Sequence, residues 1–579
     1  MTRFRVWAPF AHRVELAIRG QNLPMRGDAD GWYCVEDAQA RPGDRYGYRL
    51  DGGAPLPDPR SESQPDGVHG LSELVDHSAF AWSDGGWHGA PLASAVLYEM
   101  HVGTFTAGGT FDSAITRLGE LADLGVTAVE VMPVAEFPGR RGWGYDGVDL
   151  YAPHHAYGGP NGLKRFVDAC HAHGLAVVMD AVYNHLGPDG NHLPRFGPYF
   201  GDRYRTLWGE ALNFDGPDSG PVRQFVVDNA LTWLRDYHCD GLRLDAVHAI
   251  VDTSAIHILE ELAAAVRALE ASSGRTLWVI AETDLNDPRP VRPVEAGGFG
   301  LTAQWSDDFH HALHAALTGE RNGYYADFSG LGDVAKALCD VFVIDGRYSP
   351  QRRRVHGRPA PGLPGSRFLG YLQNHDQVGN RALGERSSAL MSPGRLRIGA
   401  ALVLTAPFVP MLFMGEEWGA SSPFLYFTDH RDPILAHAVS RGRREEFASF
   451  GWPEDSIPDP QDAQTFLRSK LDWEERHTEP HRALLDWYRR LVALRRSHPS
   501  LTDPRRDAVH AQADASNGVL VMRRGRIGVA CHIGEGTVRV DTDAPPGMRT
   551  LLSWPEGVDA AGGGVELPED SVVIWEECG

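Results

Sequence analysis

The chain has 579 residues, 42% of them hydrophobic and 23% charged, and a formal net charge of −22. That length allows two to four domains and a large core. The charge sets aside nucleic acid and anionic membranes as partners, because phosphate contacts need clustered Lys and Arg, and it suits a neutral ligand.

The opening MTRFRVWAPF lacks an apolar h-region, so no signal peptide is expected. Residues 1–90 read as short strands with turn residues between them. Val14 to Ile18 alternates, "GWYCVED" and "DRYGYRL" follow, and a Pro/Gly/Asp-rich loop runs from Gly52 to Gly70. This predicts an N-terminal β-sandwich of the glucan-binding kind.

Residues 91–500 change pattern. Apolar strand candidates are "SAVLYEMHVGTF", "VTAVEVMPV", "LAVVMDAVYNH", "GLRLDAV", "TLWVIAET", "LTAQWSDDF", "FLGYLQNHD" and "VPMLFMGEE". Helical stretches separate most of them. One is "FDSAITRLGELADLG"; another is "PVRQFVVDNALTWLRDYH", where Val222, Phe225, Val226, Trp233, Leu234 and Tyr237 recur at helical spacing. The fold class predicted is α/β, a (β/α)8 TIM barrel with a short insertion after the third strand, from about Leu186 to Gly220. A doubly wound sheet competes, but no G-x-G-x-x-G follows any strand. Pro407 and Pro410 interrupt the longest apolar run, so no membrane span is expected. Residues 501–579 predict a C-terminal β-sandwich, with "GVLVMRRGRIGVACHI" as its clearest hairpin. The six cysteines, Cys34, Cys170, Cys239, Cys339, Cys531 and Cys578, form no C-x-x-C pair, which suits a reducing, cytoplasmic setting.

Active sites of such barrels form at the carboxyl ends of the strands. The third strand ends in Asp180 and leads to His185, the fourth carries Arg243, Asp245 and His248, and the fifth ends in Glu282. The sixth carries Asp307 and Asp308, and the seventh ends in His375 and Asp376. Several carboxylates together, without Cys/His metal spacing, point to acid/base and nucleophilic chemistry at an acetal. Glycoside hydrolysis needs one protonated and one ionised carboxyl group. Arg243, two residues from Asp245 on one strand face, is expected to keep Asp245 charged. The apolar strand before Glu282 is expected to raise its pKa and make it the acid.

"DAVYNH", "GLRLDAVH", "VIAET" and "LQNHD" resemble, in order, the four signature regions of the α-amylase superfamily of glycosidases and transglycosidases, and "WGYDGVDLYAP" resembles a further motif. The resemblance covers residues 95 to 480. It implies a retaining mechanism with Asp245 as nucleophile, Glu282 as acid/base and Asp376 as the third carboxylate. It places Arg243, His185 and His375 around the sugar, and Tyr145 as an aromatic platform. His248, Gln377 and Asn380 are further candidates for substrate contact.

"FRVWAPFAHRVELAI" resembles the sandwich that precedes the barrel in branching and debranching members. "AQWSDDFHHALH" resembles the signature of members that cut the α-1,4 bond next to a terminal trehalose. The substrates implied are maltooligosyltrehalose and related α-1,4-glucans, with a separate maltooligosyltrehalose synthase as functional partner. Asp307, Asp308, His310 and His311 are the candidates for reading the trehalose. No cofactor or metal is expected: the insertion is shorter than those that hold calcium, and "DDFHHALH" lacks the Glu of H-E-x-x-H. A branching or debranching enzyme, or a non-catalytic glycan-binding barrel, is the alternative. Trp143, Trp208 and Trp418 read as packing, His154 and His155 as loop residues, and the basic stretch 347–359 as a solvated loop near the site mouth.

Overall fold

Eight short parallel strands close on themselves: β1 (Leu97–Met100), β2 (Ala128–Val131), β3 (Ala176–Ala181), β4 (Gly241–Leu244), β5 (Trp278–Ala281), β6 (Ala303–Trp305), β7 (Phe368–Tyr371) and β8 (Val409–Phe413). The closing seam pairs Met411 of β8 with Leu97 of β1 and Phe413 with Glu99. The structure, a computed structural model, describes residues 2–206, 208–448, 456–541, 548–560 and 563–577. Cys578 lies outside them, and the other five cysteines are unpaired.

The strands are buried along their whole length, as expected of a sheet covered on both faces. Leu97, Val178, Trp278, Ile280, Trp305, Leu369, Tyr371 and Met411 fill the interior, so the barrel is packed and not a pore. Helices cover the outside. Ser219–Arg235 buries Val222, Phe225, Val226, Trp233 and Leu234, the stripe its spacing predicts; Tyr237 lies beyond its end but is also buried. The predicted helix from Phe111 breaks into Phe111–Ile115 and Leu118–Leu124. The Thr116 hydroxyl takes the Ser113 carbonyl oxygen there, competing with the helical ladder.

Two β-rich regions flank the barrel. The N-terminal one sets the sheet of Thr2–Trp7, Trp32–Asp37 and Arg26–Gly27 beside that of Gln21–Pro24, Val14–Ile18, Arg45–Leu50 and Ser72–Glu73. The C-terminal one has a five-stranded antiparallel sheet in which Val519–Arg524 and Ile527–His532 form the expected hairpin, Arg524 opposite Ile527.

Charge is not confined to one pole. At the amino ends of the strands His171 bridges Asp84 and Asp240, 2.9 Å from each, and the Trp87 indole N–H donates to Asp240 at 2.7 Å. This cluster ties the segment that precedes β1 to the barrel floor.

Candidate active site

The carboxyl ends of the strands open into a cavity of about 1180 Å³. Asp245 and Glu282 stand one residue past β4 and β5, which are paired in register through Leu244 and Ala281. Arg243 is the charge inside β4, and it is 2% exposed. Its Nη1 lies 2.8 Å from Asp180 and 2.8 Å from Asp245 Oδ1, and its Nη2 lies 3.7 Å from Glu282 Oε2. Asn184 donates to the other oxygen of Asp245 at 2.7 Å. The backbone N–H of Ala246 donates to Glu282 Oε2 at 2.5 Å, from a residue held at φ 38°. Both carboxyl groups are thus oriented before any substrate arrives.

Burial pushes Glu282 well above the usual carboxylate range; Arg243 opposes this, and Asp245, Asp307 and Asp376 add to it. Burial also lifts Asp307 to about 7 against the bond from the Tyr371 hydroxyl, and Asp180 to about 6 against Arg243. A carboxyl group held protonated by burial beside one gripped by a guanidinium is an arrangement suited to acid-assisted nucleophilic chemistry.

Asp376 and His375 open the short helix His375–Gly379, which Asn374 caps by accepting the Gln377 N–H. Asn380 donates to Asp376 at 2.6 Å. Tyr145 stacks on His375 with ring centroids 5.3 Å apart. His185 stacks on Trp208 and lies 3.1 Å from the Tyr145 carbonyl oxygen; burial lowers its pKa. His248 faces Asp284 at 3.9 Å. The cavity brings together Tyr145, His185, Arg243, Asp245, His248, Glu282, Asp307, His311, His375, Asp376, Gln377 and Asn380.

It does not bring Asp308 and His310. Asp307 begins the helix Asp307–Thr318 and does not continue a strand. Residues four apart on a helix share a face, so Asp307 and His311 reach the cavity together while the residues between them turn away. Asp308 Oδ2 accepts the backbone N–H groups of Val343 and Ile344, both at 2.7 Å, and the Asn286 amide at 2.9 Å. His310 is buried with Nδ1 2.8 Å from the Leu372 carbonyl oxygen and Nε2 3.2 Å from the Tyr325 hydroxyl.

Other residues enter unforeseen. Asn184 lies inside the quoted "DAVYNH". The basic stretch contains the hairpin Arg347–Ser349 with Arg354–His356, whose turn carries Gln351 and Arg352 to the cavity. Arg352 lies 3.2 Å from Asp284 and 3.7 Å from Asp327. Tyr324 stacks on His311 at 4.6 Å. Trp143 and Trp208 line the cavity, whereas Trp418 is core. His154 and His155 gather on Glu136, their Nδ1 atoms 3.1 and 2.7 Å from Oε1. These three could approach a metal, but Glu136 faces both imidazoles and also accepts the His155 N–H, which accounts for the cluster without a cation.

Comparison with known proteins bears on the family and the fold. Residues 56–195 match the catalytic domain of the α-amylase family. A protein of Arthrobacter ramosus named malto-oligosyltrehalose trehalohydrolase is 54% identical over 99% of both chains. One of the same name from Mycobacterium tuberculosis is 51% identical over 96% of both. A crystal structure described as a putative α-amylase from Salmonella typhimurium superposes with a TM-score of 0.91 at 41% identity, covering 99% of this chain and 97% of the other.

Proposed function

The chain belongs to the malto-oligosyltrehalose trehalohydrolases of the α-amylase family, and from this we propose that it hydrolyses the α-1,4 bond next to the terminal trehalose of maltooligosyltrehalose and releases trehalose. The observation that carries the chemistry is the pairing of Asp245, gripped by Arg243 and Asn184, with the neighbouring Glu282, held protonated by burial.

In this reading Asp245 attacks the anomeric carbon while Glu282 gives its proton to the leaving oxygen. Trehalose departs, and the oligosaccharide stays on Asp245 as a covalent ester. Glu282, now ionised, takes a proton from water, which attacks the same carbon and regenerates Asp245. Asp376 holds the sugar hydroxyls, His375 braces Tyr145, and Tyr145 lies against the ring. The wall beside Glu282, with Asp284, Asp307, His311 and Arg352, faces the leaving trehalose.

The reading includes a cytoplasmic setting and coupling to a maltooligosyltrehalose synthase that supplies the capped chain. Among the described residues no helix is long and apolar enough to cross a membrane. The test is incubation with maltotriosyltrehalose beside maltopentaose, with trehalose and glucose quantified and the new anomer followed by NMR. Trehalose released with retained configuration supports the proposal. New α-1,6 branches, inverted product, or equal turnover of the uncapped chain would overturn it.

A further inference from the structure

The reaction above uses His375 and leaves Glu99 without a task. Glu99 is the third residue of β1, turned into the barrel beneath the cavity and 1% exposed. Its Oε2 accepts the backbone N–H of His375 at 2.8 Å, and its Oε1 pairs with Nδ1 of the same residue. On the far side of the ring, Nε2 lies 2.8 Å from the Tyr145 hydroxyl. That hydroxyl owns one proton, and its other neighbours decide where the proton points. Arg243 Nη1, at 3.3 Å, can only donate. Asp180 Oδ2, at 2.7 Å, is the acceptor, and it also takes Arg243. The Tyr145 proton therefore goes to Asp180, and its oxygen accepts from His375. Nδ1 donates to Glu99 and Nε2 to Tyr145, so both ring nitrogens carry protons.

We infer that Glu99 is a positioning residue that fixes His375 as an imidazolium in the sugar pocket, out of reach of the sugar itself. The inference rests on the proposed site at Asp245, Glu282 and Asp376. The charged and titratable groups around the ring come from every side: Glu99 from β1, Asp180 from β3, Arg243 from β4, and Tyr145, His101 and Asp376. Glu130 of β2, opposite Glu99 in the sheet, is kept neutral by burial and does not compete for the proton. Tyr371 lies near Glu99 from β7. Burial, the largest single influence, pushes His375 down, but the Glu99 charge, the Glu99 hydrogen bond and the Asp376 charge together outweigh it, so the ring titrates above its ordinary range. Both N–H donors of the cation are taken, by Glu99 and by Tyr145, which fixes the ring, and the cation places positive charge next to Asp376.

The test uses the full-length enzyme labelled with [15N]histidine, with His375→Asn assigning the resonance. The expected result is an imidazolium at His375 that persists above neutral pH. Glu99→Gln keeps the shape and removes the charge. It should lower the His375 titration by about one pH unit or more, and move the alkaline limb of kcat/KM on maltotriosyltrehalose down with it, a loss of about tenfold on that limb beyond any loss on the acid side. Glu99→Asp should restore part of the shift. A neutral His375 in the wild-type enzyme at pH 6.5, or a folded Glu99→Gln variant whose loss is the same at every pH, would overturn the inference. If Glu99→Gln does not fold, the wild-type titration decides. Undiminished turnover of Asp245→Asn would instead remove the proposed site and leave the titration to be judged alone.

Discussion

The Asp308 carboxylate accepts the backbone N–H of Val343 at 2.7 Å, and so it serves the fold while its neighbour Asp307 faces the cavity. Asp308→Ala leaves three buried donors without their acceptor, at a cost of about 3 kcal/mol or more. Chemical denaturation should show that loss. The ratio of kcat/KM for trehalose-capped and plain oligosaccharides should stay unchanged in the protein that remains folded. A changed ratio at full stability would return Asp308 to the site.

In the proposed mechanism Glu282→Gln removes the proton donor. A general acid contributes about 10²- to 10⁴-fold, and kcat should fall by that order on natural substrate. Glu282 works in its protonated form and its pKa is raised, so wild-type kcat/KM should decline as pH rises through that value. The variant should lose the part of that limb that follows Glu282 and keep only the part that follows His375. A Gln variant with the wild-type limb unchanged would assign the acid elsewhere.

Buried acids also make folding pH-dependent. Burial raises Glu416 to about 8, Glu417 to about 7 and Asp307 to about 7. Between their unfolded values near 4 and these folded values, the folded chain binds more protons than the unfolded one. Stability is therefore fullest at the acid end of this window and falls as pH rises, by about 1.4 kcal/mol per unit for each group titrating. Thermal unfolding between pH 5 and 8.5 should show a declining Tm, and Glu417→Gln should flatten the decline. A Tm that rises through neutrality would contradict this.

Trp208 is 49% exposed at the cavity rim and stacked on His185. An aromatic ring held there suits the apolar face of a sugar. Trp208→Ala should raise KM several-fold with a smaller change in kcat, as steady-state kinetics on maltotriosyltrehalose would reveal. A loss in kcat alone would mean that Trp208 supports the catalytic groups and not substrate binding.

The barrel was legible because its strands are short apolar runs, the third to the seventh leading into charges, and charges at strand ends are costly unless they have partners. Arg243, Asp245 and Glu282 could be placed from that pattern alone. The pattern failed at "QWSDDFHH", where three residues of strand pass into a helix at Asp307. Strand periodicity and helical phase assign neighbours to different faces, and the change of element lies within one residue of the acidic pair. The basic stretch was placed near the site mouth, but the contacts of Arg352 were not legible. Its charges have distant partners, Asp284 and Asp327, that only tertiary structure brings together. The cluster of Asp84, His171 and Asp240 shows that partnered charge also gathers at the pole away from catalysis.

The seam between β8 and β1 carries one more consequence. Glu99 and His375 are 276 positions apart in the chain, yet they touch. A growing polypeptide cannot complete the circle until the last stave, ending at Phe413, has left the ribosome and docked against the first. The nascent chain therefore cannot turn over glucan before that stave has docked.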